Sequence, residues 1–392
     1  MKIQEFVNSV GYTIATKEDN QKVLDFYHSL VMQGGRFNIK FVKDPDYFTF
    51  MEYESGIHYV IYLKNSEGRL EIMGSLSVRP CYIDGKVGYV GHFSDLRAIP
   101  RAERKTSGDW KQFSLAILAK YSEIEELKGC RYILGSYIMA NRKAVTAFKE
   151  RSPFGISEIS RYKMVSIIGR KPLKLFGKKS HKNPGMKVAV AIGQDKDTND
   201  LREFLDSQNR KRMIGYIFAG EHDELARRFK DWDDFSIKSF YIARDEKGNV
   251  IGCFALWNPT RGRKIIIDRF PKALGMAVNV VKLMGRKVPK QGAELEILYL
   301  TTLELSHSLN IDQKKYVFNE MLDLLYKSKI NKKYHMIGFC DYDKESITGG
   351  MEKDYILQKT PTHLYQMVHP DSKDVIREED YDIHVGHEMV LT

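Results

Sequence analysis

The chain has 392 residues, 43% apolar and 29% charged, which is enough to build and cover about two or three folded domains. This composition excludes a disordered or fibrous chain, and no run approaches the roughly 18 consecutive apolar residues of a membrane-spanning helix. The N-terminus lacks the apolar core of a signal peptide. Four widely spaced cysteines show no CxxC pair and no disulfide framework. We therefore expect a soluble, cytoplasmic protein with free thiols.

The formal net charge of +11 is concentrated in two stretches of the chain. Residues 170–187 carry a net +7 and residues 260–290 a net +8, so the remainder is slightly acidic. This distribution argues against a nucleic-acid partner, and no signature of a nucleic-acid-binding module is present. Residues 171–187, which contain proline and glycine, are interpreted as a basic linker, with contact to an anionic partner as the alternative.

Alternation of strands and helices is predicted on both sides of this linker, from apolar periodicity and turn residues. In the first half we expect a helix over 19–33, strands over 58–65, 69–78 and 87–99, a helix over 109–127, a strand over 131–138, a helix over 141–150 and a strand over 161–169. In the second half we expect a strand over 186–192, helical structure over 197–231, a hairpin over 240–257, a strand over 294–305, a helix over 314–330 and strands over 334–339 and 363–368.

The second half also contains a basic insert at residues 260–290. Leu274, Val278, Val281 and Met284 recur at helical spacing within it, which predicts a packed amphipathic helix. A groove cover, a contact with an anionic partner or a membrane-surface helix are the alternatives.

Weak internal similarity relates the two halves. Tyr132 precedes His335 by 203 residues, and Tyr162 precedes Tyr365 by the same distance. A constant offset across two separate elements indicates an internal duplication. We predict an N-terminal domain at 1–170, the linker at 171–187 and a C-terminal domain at 188–392.

A recognisable motif lies between the strand at 131–138 and the helix that follows it. Asn141, Ala144 and Phe148 form the pattern N-x-x-A-x-x-x-aromatic, and Phe154-Gly155 follows. This segment and the order of elements around it resemble the GCN5-related N-acetyltransferase superfamily. The resemblance implies an α+β fold of two such acyl-CoA N-acyltransferase domains in tandem, each a twisted, mostly antiparallel sheet flanked by helices. From the residues alone, Asn141 is also a good helix N-cap.

The resemblance also implies a site for acetyl-CoA in the first half. Backbone N–H groups of the turn after the strand at 87–99 would hold the pyrophosphate at a helix N-terminus. The implied cofactor-binding residues are Leu96, Arg97, Ala98, Arg104, Lys105, Thr106, Ser107, Gly108, Asn141 and Phe148. The turn departs from the family pattern because Ser107 and Asp109 stand where two small residues, usually glycine, are expected. An ordinary basic turn with Asp109 as N-cap is the alternative.

Catalytic residues are less evident from the pattern. Transfer to an amine needs a base for the amine proton and often an acid for the departing thiolate. We consider His92 and Asp95 as candidate bases, and strand alternation places them on opposite faces. The family often has a tyrosine acid where this chain has Phe148, so the acid role would move to Tyr137 or to another tyrosine.

The corresponding turn in the second half, residues 304–312, has no glycine, lysine or arginine. We therefore expect this half to have lost cofactor binding. Its role would be to shape the acceptor cleft or to pack on the first half. His384 and His387 form an H-x-x-H pair without the context of a zinc site, and no metal site is predicted. We predict an N-acetyltransferase that uses acetyl-CoA and a small-molecule or peptide amine as acceptor. The competing hypothesis is a non-catalytic binding protein on the same duplicated fold that recognises an anionic ligand.

Overall fold

A computed structural model gives the structure of the chain and describes residues 1–30, 32–34, 37–139, 141–149, 152–171, 183–269 and 287–391. The strands are β1 (Thr13–Ile14), β2 (Met32–Gly34), β3 (Phe37–Val42), β4 (Ile57–Lys64), β5 (Leu70–Ile83), β6 (Lys86–Ala98), β7 (Cys130–Ile138), β8 (Gly155–Arg170), β9 (Ala189–Ile192), β10 (Ile214–Gly215), β11 (Phe240–Arg244), β12 (Val250–Trp257), β13 (Lys264–Arg269), β14 (Ile297–Leu305), β15 (Met336–Tyr342) and β16 (Tyr355–Val368). The α-helices are α1 (Ile3–Ser9), α2 (Asn20–Ser29), α3 (Thr49–Glu52), α4 (Trp110–Lys120), α5 (Arg142–Lys149), α6 (Thr198–Asn209), α7 (Glu224–Asp231) and α8 (Ile311–Lys327).

One continuous sheet of 13 strands runs through both halves of the chain. Its order is β1-β4-β5-β6-β7-β16-β8-β15-β14-β12-β11-β9, and β10 pairs with the end of β5. Among the described residues, the parallel pairs of this sheet are β6·β7 and β14·β15, and the other neighbours are antiparallel. Strands β13, β3 and β2 form a second, small sheet. The predicted α+β class, with a mostly antiparallel sheet flanked by helices, is confirmed.

The final strands of the two halves are exchanged. Strand β8 lies between β16 and β15, and β16 lies between β7 and β8. The residue pairs with the constant offset fall on corresponding elements, since Tyr132 lies in β7 and His335 directly precedes β15, whereas Tyr162 lies in β8 and Tyr365 in β16. The two halves therefore share backbone hydrogen bonds at the centre of one sheet.

A crossover helix covers each half, because a parallel pair of strands needs such a connection. Helix α4 joins β6 to β7 and is capped by Asp109, whose side chain accepts from the backbone N–H of Lys111. Helix α8 joins β14 to β15 and is capped in the same way by Asn310. The buried faces repeat at helical spacing, with Phe113, Ile117 and Leu118 on α4 and Val317, Phe318, Met321, Leu322 and Leu325 on α8. Burial of each such side chain contributes about 1.5–3 kcal/mol.

Several predicted elements differ from the structure. The basic insert begins as strand β13, paired with β3, where helical structure was expected. Its apolar run from Leu274 to Met284 lies outside the described residues, as does most of the predicted linker, residues 172–182. The predicted helix at 19–33 ends at Ser29, since the chain continues into β2. The four cysteines are free. No helix among the described residues is long and apolar enough to cross a membrane.

Candidate functional site

Strand β6 contains a bulge near its end. Ser94 pairs with Ser75 and Arg97 pairs with Met73, so two residues of β6 lie opposite one residue of β5. Asp95 in this bulge has φ = 52°, the left-handed region, which aspartate adopts more readily than most residues. The bulge therefore reorients the last residues of β6.

Beyond the bulge, β6 separates from its parallel neighbour. The pairing between β6 and β7 ends at Phe93 and Gly135. Residues 133–138 of β7 pair with β16 on the side away from β6, and residues 94–98 of β6 pair with β5 alone in the described part of the chain. The result is a wedge between β6 and β7, and the backbone of β6 at residues 94–98 presents a free edge to it. An extended ligand can add hydrogen bonds along such an edge in the manner of an additional strand.

The bulge places His92 and Asp95 on the same face of the sheet, contrary to the alternation expected from the sequence. His92 pairs with Ser77, which shares a face with Ser75 two residues away. The Tyr47 hydroxyl lies 3.3 Å from Oγ of Ser75 and donates to Asp95 at 2.8 Å. The extra residue in β6 thus reverses the alternation between the two candidates.

Asp95 forms an ion pair with a buried lysine. Nζ of Lys43, whose side chain is 2% exposed, lies 2.5 Å from the Asp95 carboxylate and 4.2 Å from the centre of the Tyr47 ring. Burial acts to raise the pKa of Asp95, but Lys43 and then Arg97 outweigh it and hold the pKa well below its usual range. The carboxylate is therefore ionised and fully engaged, which makes it a poor proton acceptor.

Two further residues of the predicted site, Tyr137 and Phe148, pack against each other. Their ring centres are 4.9 Å apart, and Phe148 packs on the core beneath α4. Burial raises the pKa of Tyr137 well above its usual value. Asn141 caps α5, since its side chain accepts from the backbone N–H of Ala144 at 3.3 Å. Tyr137 therefore faces α5, away from the candidate bases.

The backbone N–H groups of the turn between β6 and α4 are bonded to a carboxylate of β5. Glu71, which is 1% exposed, accepts from the backbone N–H groups of Lys105 and Thr106, each at 2.9 Å, and from the Thr106 hydroxyl at 2.8 Å. Burial acts to raise the pKa of Glu71, but these hydrogen bonds and one from Asn65 lower it to about 2. The donors expected to hold a pyrophosphate are thus occupied within the chain.

The basic side chains of this turn differ in availability. Arg104 donates from Nε to the backbone carbonyl of Ile99 at 2.9 Å, which fixes the turn. Lys105 extends to Glu67 in an ion pair with both side chains more than half exposed, and such pairs are weak. Ser107 is exposed, whereas a Cβ added to Gly108 would lie 2.2 Å from the Leu63 side chain.

The strand end that leads into this turn is mostly packed. Leu96 and Ala98 contact the core beneath α4, and the guanidinium of Arg97 lies 3.8 Å from the centre of the Tyr27 ring. Arg97 also donates to the backbone carbonyl of Leu30 at 2.7 Å. The wedge and its free edge can therefore accept an extended ligand, whereas the turn offers exposed lysine charge but has backbone N–H groups that are already bonded to Glu71.

A matching bulge and wedge occur in the second half. Cys253 pairs with Glu304 and Ala255 with Thr301, so β14 bulges opposite β12, and Thr302 has φ = 50°. The parallel pairing between β14 and β15 ends at Tyr299. A cavity of about 90 Å³ lies in this wedge, lined by β14, β15, α6 and the segment 384–390.

Buried charges line this cavity. Arg212 donates to the Glu304 carboxylate at 2.6 Å, and both side chains are almost fully buried. Burial acts to raise the pKa of Glu304, but Arg212, followed by His307, outweighs it and lowers the pKa. At the bulge, Glu388 accepts from Arg228 at 2.8 Å and from the backbone N–H of Thr302 at 3.3 Å. A side chain of this chain thus already occupies the bulge N–H of the second half.

The segment that lines the cavity also reaches the first half. The ring of His387 lies 5.9 Å, centre to centre, from the ring of His92 on β6. Its Nε2 is 3.2 Å from the Tyr162 hydroxyl on β8. The backbone carbonyl of Gly386 accepts from Arg79 of β5 at 2.9 Å. The C-terminal segment therefore joins the cavity to the face of β6 that holds His92 and Asp95.

Sequence reasoning did not identify the cavity residues. His384 and His387 form an H-x-x-H pair in the sequence, a pattern that indicates metal binding, but no group of metal ligands occurs among the described residues. Glu345, Arg212 and Lys314 carry no motif. The internal duplication is the sequence feature that could have located these residues, because it predicts a second wedge equivalent to the first.

Comparisons with known proteins identify the fold. No protein-family model matches the chain, and no curated protein matches it. Among solved structures, Saccharomyces cerevisiae N-myristoyltransferase with bound myristoyl-CoA superposes with a TM-score of 0.54 at 11% identity, over 96% of this chain and 89% of that chain. A GCN5-related glucosamine N-acetyltransferase region of a fungal multi-domain GH3 beta-N-acetylglucosaminidase superposes with a TM-score of 0.55 at 10% identity, over 91% of this chain and 38% of that one.

Proposed function

Because the chain has the fold of the GCN5-related N-acetyltransferase superfamily, we propose that it is an acyl-CoA-dependent N-acyltransferase that uses acetyl-CoA. The carrying observation is the bulge at Asp95, which opens the wedge between β6 and β7 and leaves one edge of β6 free. The thioester arm binds along this edge, and a small-molecule or peptide amine attacks it directly. The superposed myristoyltransferase, which binds myristoyl-CoA, supports an acyl-CoA ligand.

The phosphates of the cofactor would lie at the turn between β6 and α4. Lys105 supplies positive charge there, since its present partner Glu67 is exposed and exchanges readily with another anion. Glu71 and Asp109 oppose phosphate binding at the same turn by charge and by occupying backbone donors. We therefore expect acetyl-CoA to bind with modest affinity that depends on the salt concentration.

Calorimetric titration with acetyl-CoA tests this proposal. The wild type should bind one equivalent, and Lys105→Ala should weaken binding by about 1 kcal/mol, or roughly five-fold in Kd. Lys187→Ala is the matched control, because Lys187 is also an exposed lysine paired with an exposed glutamate. Absence of binding by a folded wild type, or equal weakening by both variants, would contradict the proposed site.

The occupied turn favours a second candidate, a non-catalytic protein that binds an anionic ligand on the same fold. Glu71→Gln separates the two functions, because it removes the competing charge while retaining an acceptor for Thr106. If the chain is an acyltransferase, Glu71→Gln should bind acetyl-CoA more tightly than the wild type. If the second candidate is correct, neither protein binds acetyl-CoA, and inorganic pyrophosphate is the probe to titrate next.

A further inference from the structure

The cavity between β14 and β15 contains a histidine held by a carboxylate. Nδ1 of His384 lies 2.6 Å from the Glu345 carboxylate, and the His384 ring stacks on Tyr342 with ring centres 3.7 Å apart. Glu345 is held in turn by an ion pair with Lys314 of α8. The ring is therefore fixed on one nitrogen and one face, as in the histidine–carboxylate pairs that serve as general bases.

The hydrogen bond to Glu345 determines which nitrogen of His384 is available. Nη1 of Arg212 lies 3.0 Å from Nδ1 of His384 and donates to the backbone carbonyl of His384 at 2.7 Å. The Glu345 carboxylate is ionised and can only accept, so its closer contact with Nδ1, at 2.6 Å, places the ring proton on Nδ1. Nε2 then carries the lone pair. Burial, followed by Arg212, lowers the pKa of His384 to about 4, so the ring is neutral near pH 7. His384 is thus an unprotonated acceptor.

The charges around His384 favour a cationic ligand. Four carboxylates line the cavity, those of Glu304, Asp341, Glu345 and Glu388. They face the cations of Arg212 and Lys314 in the lining, and Arg228 behind Glu388. Carboxylates remain in excess, which stabilises an ammonium group in a partly desolvated site.

We propose that this cavity binds the acceptor amine and that Nε2 of His384, positioned by Glu345, takes the proton that the amine loses. The inference rests on the proposed acyltransferase function. The bound ammonium group first releases one proton to solvent, and the neutral amine nitrogen then forms a bond to the thioester carbonyl carbon while the carbon–sulfur bond breaks with its electron pair on sulfur. The second proton that the nitrogen loses passes to Nε2 and from there to the thiolate. His92 does not line the cavity, so this assignment gives proton removal to His384.

Nitrogen NMR of the full chain tests the inference without turnover. With ¹⁵N-labelled histidine and His384→Gln for assignment, His384 should be neutral at pH 7 with its proton on Nδ1. Ethylamine, a minimal probe of the reacting group, should shift the Nε2 signal of His384, whereas ethanol should not. A charged ring, a proton on Nε2, or no shift with ethylamine would overturn the inference. Glu345→Gln should reduce the preference for the Nδ1–H tautomer.

Kinetics with acetyl-CoA and ethylamine complete the test. His384→Gln should lower kcat by roughly 100-fold or more and leave the Kd of acetyl-CoA unchanged. His369→Gln is the control, since His369 lies outside the cavity. If acetyl-CoA binds but His384 does not respond to ethylamine, the inference fails and the proposed function stands. If ethylamine shifts the His384 signal but acetyl-CoA does not bind, the proposed acyltransferase function is wrong. The catalytic role of His384 is then also wrong, and the cavity is an amine-binding site only.

Discussion

Asp95 and Thr302 occupy corresponding bulges in the two halves of the sheet, and each is held by a buried cation. Their φ angles are 52° and 50°. Asp95 accepts from Lys43 at 2.5 Å, and the Thr302 hydroxyl accepts from Arg228 at 2.7 Å. A left-handed residue outside glycine is strained, so these contacts stabilise the bulges that open both wedges. The two bulges differ because the Glu388 carboxylate accepts from the backbone N–H of the bulge in the second half only.

Removal of the cation at the first bulge should destabilise the protein. Lys43→Met leaves the ionised Asp95 without its partner, which should lower the free energy of unfolding by about 3 kcal/mol in urea titrations. Lys43→Met with Asp95→Asn should recover part of this loss, because asparagine carries no charge and tolerates positive φ. Equal stability of Lys43→Met and the wild type would show that the pair does not hold the bulge.

The turn carboxylate should give a defined dependence of stability on pH. Because the folded pKa of Glu71 is about 2, below the unfolded value of about 4.3, its contribution is present above pH 4.3 and is lost as the pH falls towards 2. Urea unfolding at several pH values should show Glu71→Gln less stable than the wild type at pH 7, with the difference shrinking below pH 4. A difference that stays constant with pH would contradict the assigned pKa.

The two candidate proton acceptors can be ranked by mutation. His92 is buried with Nε2 unpartnered among the described residues, but it contacts His387 rather than the cavity. His92→Gln should therefore lower kcat with acetyl-CoA and ethylamine far less than His384→Gln does. If His92→Gln instead lowers kcat more than His384→Gln does, with the acetyl-CoA Kd unchanged in both variants, His92 is the base, as its position near the end of the strand predicted.

The residue opposite the first bulge should tolerate no side chain. A Cβ on Gly74 would lie 2.6 Å from Leu96 and 2.7 Å from Trp110. Gly74→Ala should lower the free energy of unfolding by about 1–3 kcal/mol through overpacking and should also weaken acetyl-CoA binding. Ser77→Ala on the same strand is the control, since its buried hydroxyl has no partner among the described residues. If folded Gly74→Ala binds acetyl-CoA as tightly as the wild type does, the bulge is not part of the acetyl-CoA site.

Local patterns predicted most elements of the fold but not how the halves combine. Periodicity placed α4, α8 and the strands of both hairpins close to their observed positions. The exchange of β8 and β16 was not predictable, because apolar alternation specifies a face of a strand and not its neighbour. The bulge at Asp95 was missed for a related reason, since one extra residue leaves no composition signal. Glu71 lies 34 residues before Lys105, whose backbone N–H it accepts in the turn, and only the folded sheet brings them together.

Hydrogen exchange measured by mass spectrometry with and without acetyl-CoA tests whether the thioester arm binds along β6. We expect slower exchange of the amides of residues 94–98 at the free edge of β6 when acetyl-CoA is added, with little change in β14. Protection of residues 300–305 of β14 without protection of β6 would place the cofactor in the second half. No protection in either strand at saturating acetyl-CoA would contradict the wedge as an acyl-CoA site.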